Sequence, residues 1–365
     1  MNIDSGFVAN FKGVKEFMKR IRWVSLLLCA FLVLAAVGCG SGQEGQDQQG
    51  NHQDAFSAGM VTDTGGVNDE SFNQTAWEGM KRLEKELGVD SKYLESKRDA
   101  DYVPNLTRFA REGRDIIWGI GFKFENVIPQ VANQFKDAKF GIVDSNLGGE
   151  IPPNVVAVTF KEHEGSFLMG VIAGSMTKTD KVGFIGGISS PLIKKFEVGF
   201  RAGVKAANPD AEVKVAYAES FDDVAKGRSL AQNMYNNDVD VIYHAAGGVG
   251  KGLFNEVKTR EQGKYWAIGV DMDQSSLAPD HTLSSMIKRV DVAVFEVTKQ
   301  VKEGKFPGGE EVELGLQDDA VGIAETTSKH VPEKVLKKVE EFKQKIVDGE
   351  IKVPSTEEEF KSFKG

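Results

Sequence analysis

Short apolar runs alternate with amphipathic stretches in two successive rounds. That alternation constrains the fold more than any single motif. Runs at 56–61, 115–120, 139–143 and 155–160 are expected strands, with helices at 72–87, 125–135 and 164–176. The pattern restarts with strands at 182–185, 213–218, 239–244 and 265–270 and helices at 192–207, 224–235 and 252–261. Strands such as DIIWGI and VVAVTF are unbroken apolar runs, as strands buried on both faces must be. Strands alternating with helices imply α/β, doubly wound parallel sheets with helices on both faces. A length of 365 residues suits two such domains. The chain is expected to cross near Phe160 and to return near Lys288 and Arg289. The helix 292–302 then packs on the first domain, and 311–316 with the helix 331–347 goes back to the second. This gives one lobe of 55–159 plus 289–307 and another of 160–288 plus 308–355.

Residues 1–38 carry five basic and two acidic side chains ahead of an apolar run at 23–37. That run is shorter than the roughly 20 residues a membrane-crossing helix needs. A basic start, a short apolar core and small residues at its end read as a secretory signal peptide, with translation starting at Met1 or Met18. The run closes on Ala36-Val37-Gly38-Cys39, which resembles the lipobox of bacterial lipoproteins, with Cys39 as the lipidated residue. Cys29 falls inside the signal, so no disulfide framework is expected. Residues 39–54 are rich in Gly and Gln, and 40–54 hold no aliphatic or aromatic residue. Such a stretch cannot bury a core and is expected to be a flexible tether.

Open parallel sheets bind ligands beyond the carboxyl ends of their strands. The segments there are polar: 62–73 after the first strand, Asp144-Ser145-Asn146, Ala245-Ala246-Gly247-Gly248 and Asp271-Met272-Asp273-Gln274. Ser71 and Asp223 read first as helix N-caps. Asp144 and Asp271 each directly follow a buried strand and read as ligand groups. Carboxylates from both halves facing one cleft suit a ligand with hydroxyl or amide donors and repel phosphates, which argues against nucleotides as ligands. The formal net charge of -9 argues against nucleic acid as a partner.

The segments 59–63 and 68–79, then 186–187 with 196–200, 220–223, 246–250, 269–274 and 284–289 resemble the basic membrane protein family in their order. That family includes purine nucleoside receptor lipoproteins of bacterial ABC transporters. The resemblance spans nearly all of the folded body. It implies a type I periplasmic-binding-protein fold, two lobes joined by a three-strand hinge. It also implies roles. Asn68 and Asp69 are expected at the base edge or the mouth beside it, and Trp77 and Phe221 on the two faces of the base. Asp144 is expected on base or sugar donors, Asp271 on ribose hydroxyls and Lys288 on a sugar oxygen. Gly247 and Gly248 let the backbone approach the ligand. Asn68 departs from the Asp that many members carry.

Catalytic signals are weak. The segment 245–252 is similar to a phosphate-binding loop, but Ala245 stands for its first glycine and Gly252 for its metal-holding hydroxyl. Ser175 and Lys178 match S-x-x-K without its companion motifs. His52, His163, His244, His281 and His330 lack metal-ligand spacing, and His244 reads as a core histidine. The expected function is a monomeric, lipid-anchored receptor on the extracytoplasmic face of a bacterial membrane. It hands a purine nucleoside to ABC permease subunits and their ATPase, with no cofactor, metal or catalytic role. Three alternatives stay open: a same-fold receptor for a sugar or signalling molecule, a surface adhesion or antigen lipoprotein, and an enzyme acting on nucleosides.

Overall fold

The computed structural model describes residues 55–364. The expected signal peptide 1–38, the lipid site Cys39 and the tether 39–54 lie outside the described residues. Twelve strands form two six-stranded sheets among the described residues. In chain order they are β1 (Ser57–Thr62), β2 (Asp90–Leu94), β3 (Ile116–Ile120), β4 (Phe140–Val143), β5 (Val155–Phe160), β6 (Lys181–Gly186), β7 (Glu212–Tyr217), β8 (Val241–Ala245), β9 (Trp266–Asp271), β10 (Thr282–Lys288), β11 (Glu311–Leu314) and β12 (Val321–Ile323). The first sheet runs β11-β5-β4-β3-β1-β2 and the second β12-β10-β9-β8-β6-β7. All pairings are parallel except β10 with β12. The central strands β3, β4 and β5 are buried at every residue, which their unbroken apolar sequence requires.

The helices are α1 (Phe72–Leu87), α2 (Tyr102–Arg111), α3 (Ile128–Gln134), α4 (Glu162–Met176), α5 (Pro191–Ala207), α6 (Val224–Asn236), α7 (Gly250–Val257), α8 (Val290–Lys302), α9 (Glu333–Val347) and α10 (Glu357–Ser362). Leu106, Phe109, Ile128 and Val131 of α2 and α3 close one core over β3 and β4. Ala231, Tyr235, Leu253 and Phe254 of α6 and α7 close another beside β8. None of these helices is long and apolar enough to cross a membrane.

The chain passes between the sheets three times. It leaves after β5 into α4, which packs on α5 and β10. It returns after β10 into α8, which lies on α1 with the Arg82 guanidinium 4.0 Å over the Phe295 ring. It leaves again after β11. Backbone bonds from Lys161 to Leu314 and from Arg289 to Ala320, both 2.8 Å, hold the three crossings side by side. This corrects the expected return of 311–316 to the second lobe. β11 adds to the first sheet through β5 instead, because crossing points follow strand pairing and not local composition. Helix α9 does lie on the second lobe, with Phe342 against Phe167 at 5.4 Å. β2, α2, β10 and β12 have no counterpart in the sequence-based expectation.

Candidate functional site

The carboxyl ends of β1, β3 and β4 face those of β6, β8 and β9 across a cavity with about 540 Å³ of unfilled space, mouth included. Asp63, Asp69, Phe72, Asn73, Phe122 and Asp144 line it from the first lobe, and Phe196, Phe221, Gly247, Asp271 and Lys288 from the second.

The first-lobe wall is acidic and prearranged. Asp69 accepts the backbone N–H groups of Ser71, Asn73 and Gln74 at 2.9, 2.9 and 3.0 Å and so caps α1. The Asn73 side-chain amide donates to Asp63 at 2.8 Å and to Asp69 at 3.1 Å. Its own Oδ1 is buried without a partner, an acceptor open to a ligand donor. Burial pushes the Asp63 and Asp69 carboxyls above their usual range, opposed by these N–H donors.

At the back, Lys288 Nζ lies 2.6 and 2.7 Å from the two Asp144 oxygens and 3.2 Å from Glu162. The rings of Phe72, Phe160 and Phe196 surround it at 5.1, 5.0 and 5.5 Å. Burial pulls the Lys288 ammonium down, but Asp144, Glu162 and Asp271 more than reverse this and hold it charged. Burial lifts Asp144 to about 6 against the pull of Lys288, and Asp271 to about 7 against Lys288 and Ser71. Asp144 and Asp271 adopt positive φ, 67° and 68°, rare for residues with a side chain and concentrated at functional sites.

The aromatic walls come from both lobes. Phe72 opens α1, and Phe221 sits on the loop before α6. A Cβ at Gly187 would fall 2.2 Å from the Phe221 ring, so only glycine there lets the ring lie over the end of β6. Phe122 meets Phe221 edge-on at 6.2 Å across the cavity. An acidic, aromatic-walled pocket with one buried cation can hold a flat ring and a cluster of hydroxyl or amino donors.

A family model described as ABC transporter substrate-binding protein PnrA-like, short name Bmp, matches residues 56–357. This chain belongs to that family. Among curated relatives of this Bmp protein, the CD4+ T-cell-stimulating antigen of Listeria innocua is 45% identical over 91% of this chain and 97% of its own. The ABC transporter nucleoside-binding protein BmpA of Lactococcus lactis is 38% identical over 92% and 99%. Basic membrane protein A of Borreliella burgdorferi is 37% identical over 82% and 88%. The solved structure of an ABC transporter solute-binding protein from Aeropyrum pernix K1 superposes with a TM-score of 0.76 at 29% identity, covering 84% of this chain and 96% of that one. The fold of the chain is the bilobal type I periplasmic-binding-protein fold, and the protein is a non-catalytic solute receptor.

Of the residues picked out by sequence, Asp69, Asp144, Phe221, Gly247, Asp271 and Lys288 all reach the cavity. Asn68 is exposed and does not line the cavity; its carbonyl accepts from Lys251 at 2.8 Å. Gly248 lies against the Phe221 carbonyl and off the cavity wall. Trp77 is displaced from its expected role. It stands edge-on to Tyr93 of β2, 4.8 Å between centroids, outside the cavity. Five residues into α1 a side chain is about 7.5 Å further from the cleft end and turned to another face. Phe72, at the start of α1, lines the cavity instead. Ser71, read as a cap, makes no side-chain cap bond and donates to Asp271 of the other lobe. Asp223 does cap α6, accepting from Lys226 N–H at 2.8 Å. Asp63, Asn73, Phe122, Glu162 and Phe196 were missed. The signal for Asp63 and Asn73 was present, since both lie in the polar segment after the first strand.

Proposed function

We propose that this chain is the receptor lipoprotein of a bacterial ABC importer and captures a purine nucleoside between its lobes. The observation that carries the reading is the pairing of Phe72 and Phe221 on opposite lobes of one acidic cavity. Two rings favour a flat heterocycle over a sugar, and stacking contributes roughly 1–3 kcal/mol per base. Asp63 and the free Asn73 Oδ1 accept from base N–H groups. Asp271, near neutral pKa, and Lys288 engage ribose hydroxyls. The carboxylates disfavour a phosphate, which selects nucleosides over nucleotides. The name of the Lactococcus relative supports a nucleoside. The name of the Listeria relative keeps a surface-antigen reading in view, but a lined cleft with buried charges is not needed for one.

Ligand binds the closed arrangement best and shifts the lobes towards it. The closed receptor, a monomer held by lipid on Cys39 at the extracytoplasmic face, then docks on permease subunits served by an ATPase. The test is calorimetric titration of the chain, refolded from denaturant to strip carried ligand, with adenosine, guanosine, inosine, cytidine, uridine and ribose. Binding of the purines with weak or absent heat from ribose is the expected result. No heat with any of the six rejects the nucleoside reading.

A further inference from the structure

Gln274 is 2% exposed and does not line the cavity, yet it links the lobes. Its Oε1 accepts the Val270 N–H at 2.9 Å, which fixes the amide's orientation. The same oxygen lies 2.9 Å from His244 Nε2. With an acceptor there, His244 carries its proton on Nε2. Burial depresses the imidazole to about 4, opposed by the bond to Gln274, so the ring is neutral. The backbone N–H of Gln274 donates to Ser285 Oγ at 3.0 Å. A Cβ at Gly269 would sit 2.5 Å from Oε1, so the seat exists only beside a glycine. All of these contacts lie within the second lobe. Together they aim the Gln274 amide nitrogen at the Glu70 carbonyl of the first lobe, to which it donates at 2.7 Å.

Glu70 has φ 56° and belongs to the turn 68–71, which leads directly into Phe72 on the cavity wall. Second-lobe groups hold that turn at three points: Lys251 Nζ on the Asn68 carbonyl at 2.8 Å, Gln274 on Glu70, and Asp271 accepting from Ser71. We propose that the turn 68–71 is the catch that holds the lobes closed, and that Gln274, set by His244, is its positioning residue. A ligand seated against Phe72 fixes the turn that Gln274 grips. Capture and closure thus share one short segment. This goes beyond the nucleoside reading and needs only a two-lobed receptor.

Gln274→Glu separates the two jobs of the side chain. The carboxylate still accepts from Val270 and His244, but it turns an oxygen towards the Glu70 carbonyl. The measurement is hydrogen–deuterium exchange of the full chain with no ligand added. In Q274E, amides of 68–74 should exchange about tenfold faster or more, the range set by losing one buried hydrogen bond, while β8 and β9 keep the parent's rates. Lys251→Met, at a half-buried side chain, should speed the same segment by a smaller factor. Parent-like exchange at 68–74 in Q274E overturns the proposal. So does equal acceleration throughout β8 and β9, which would make Gln274 a strut of its own lobe.

Discussion

The two lobes share a frame and differ in chemistry. Each sheet has the order second-first-third-fourth-fifth in its own strands, and each has an aspartate with φ near 67° at its fourth strand, Asp144 just after β4 and Asp271 at the end of β9. The frame then diverges. The last strand added is parallel in the first lobe and antiparallel in the second. The first lobe adds Asp63 and Asp69 to its wall, and the second adds Lys288. Asp144 has both oxygens on Lys288, whereas Asp271 holds Ser71 and feels Lys288 only at longer range. The similar backbone places a carboxylate from each side. The different neighbours leave Asp144 committed to an ion pair with Lys288 and Asp271 bonded across the cleft to Ser71, its carboxyl lifted to about 7 by burial.

Removing the shared cation should have the largest effect. Lys288→Met leaves Asp144 and Asp271 buried without their nearest counter-charge and Glu162 with Lys195 alone, 3.7 Å away. Unfolding in urea should show a loss of about 3–5 kcal/mol, and a loss under 1 kcal/mol would mean that the lobes do not depend on it. Next come the aromatic walls. Phe221→Ala and Phe72→Ala should each weaken inosine binding by about 5- to 150-fold in a titration, the equivalent of ~1–3 kcal/mol. An effect in one lobe alone would break the sandwich.

The asymmetry between the aspartates has a pH signature. Burial raises Asp271 from 3.8 to about 7, so between those values the folded chain keeps a proton the unfolded chain has lost. Stability from this group therefore falls as pH rises from about 4 to about 7, and the penalty is complete above 7. Asp271→Asn should gain in Tm on the parent progressively across that window, and a constant difference would contradict the shift. Trp77→Ala should matter least for ligand. It removes the edge contact with Tyr93, at ~0.5–1.5 kcal/mol of stability beyond the buried area, and leaves the inosine affinity unchanged.

These outcomes also mark how far the sequence could be read. Buried parallel strands announce themselves through apolar runs, so β3, β4, β5, β8 and β9 were legible, with Asp144 just after β4 and Asp271 at the end of β9. Edge strands are half solvated. β2, DSKYL, has no apolar run and escaped notice. β10, TLSSMIK, hides its burial behind two serines, each hydrogen-bonded inside: Ser285 with Gln274 and Ser284 with Thr327. The exchange of Trp77 for Phe72 is a question of height on a helix, which a motif alone does not give. The pairing of Lys288 with Asp144 and Glu162 needs the three crossings, because the residues sit far apart until β10 and β5 end at the same place.

In the proposed complex one flat ligand lies between Phe72 and Phe221 with its hydroxyls on Asp271 and Lys288. A crystal structure of the chain grown with inosine tests it most directly. The base should lie between those two rings, with its edge on Asp63 and Asn73 and the ribose on Asp271. Inosine bound elsewhere, or a cavity left empty at saturating inosine, would contradict it.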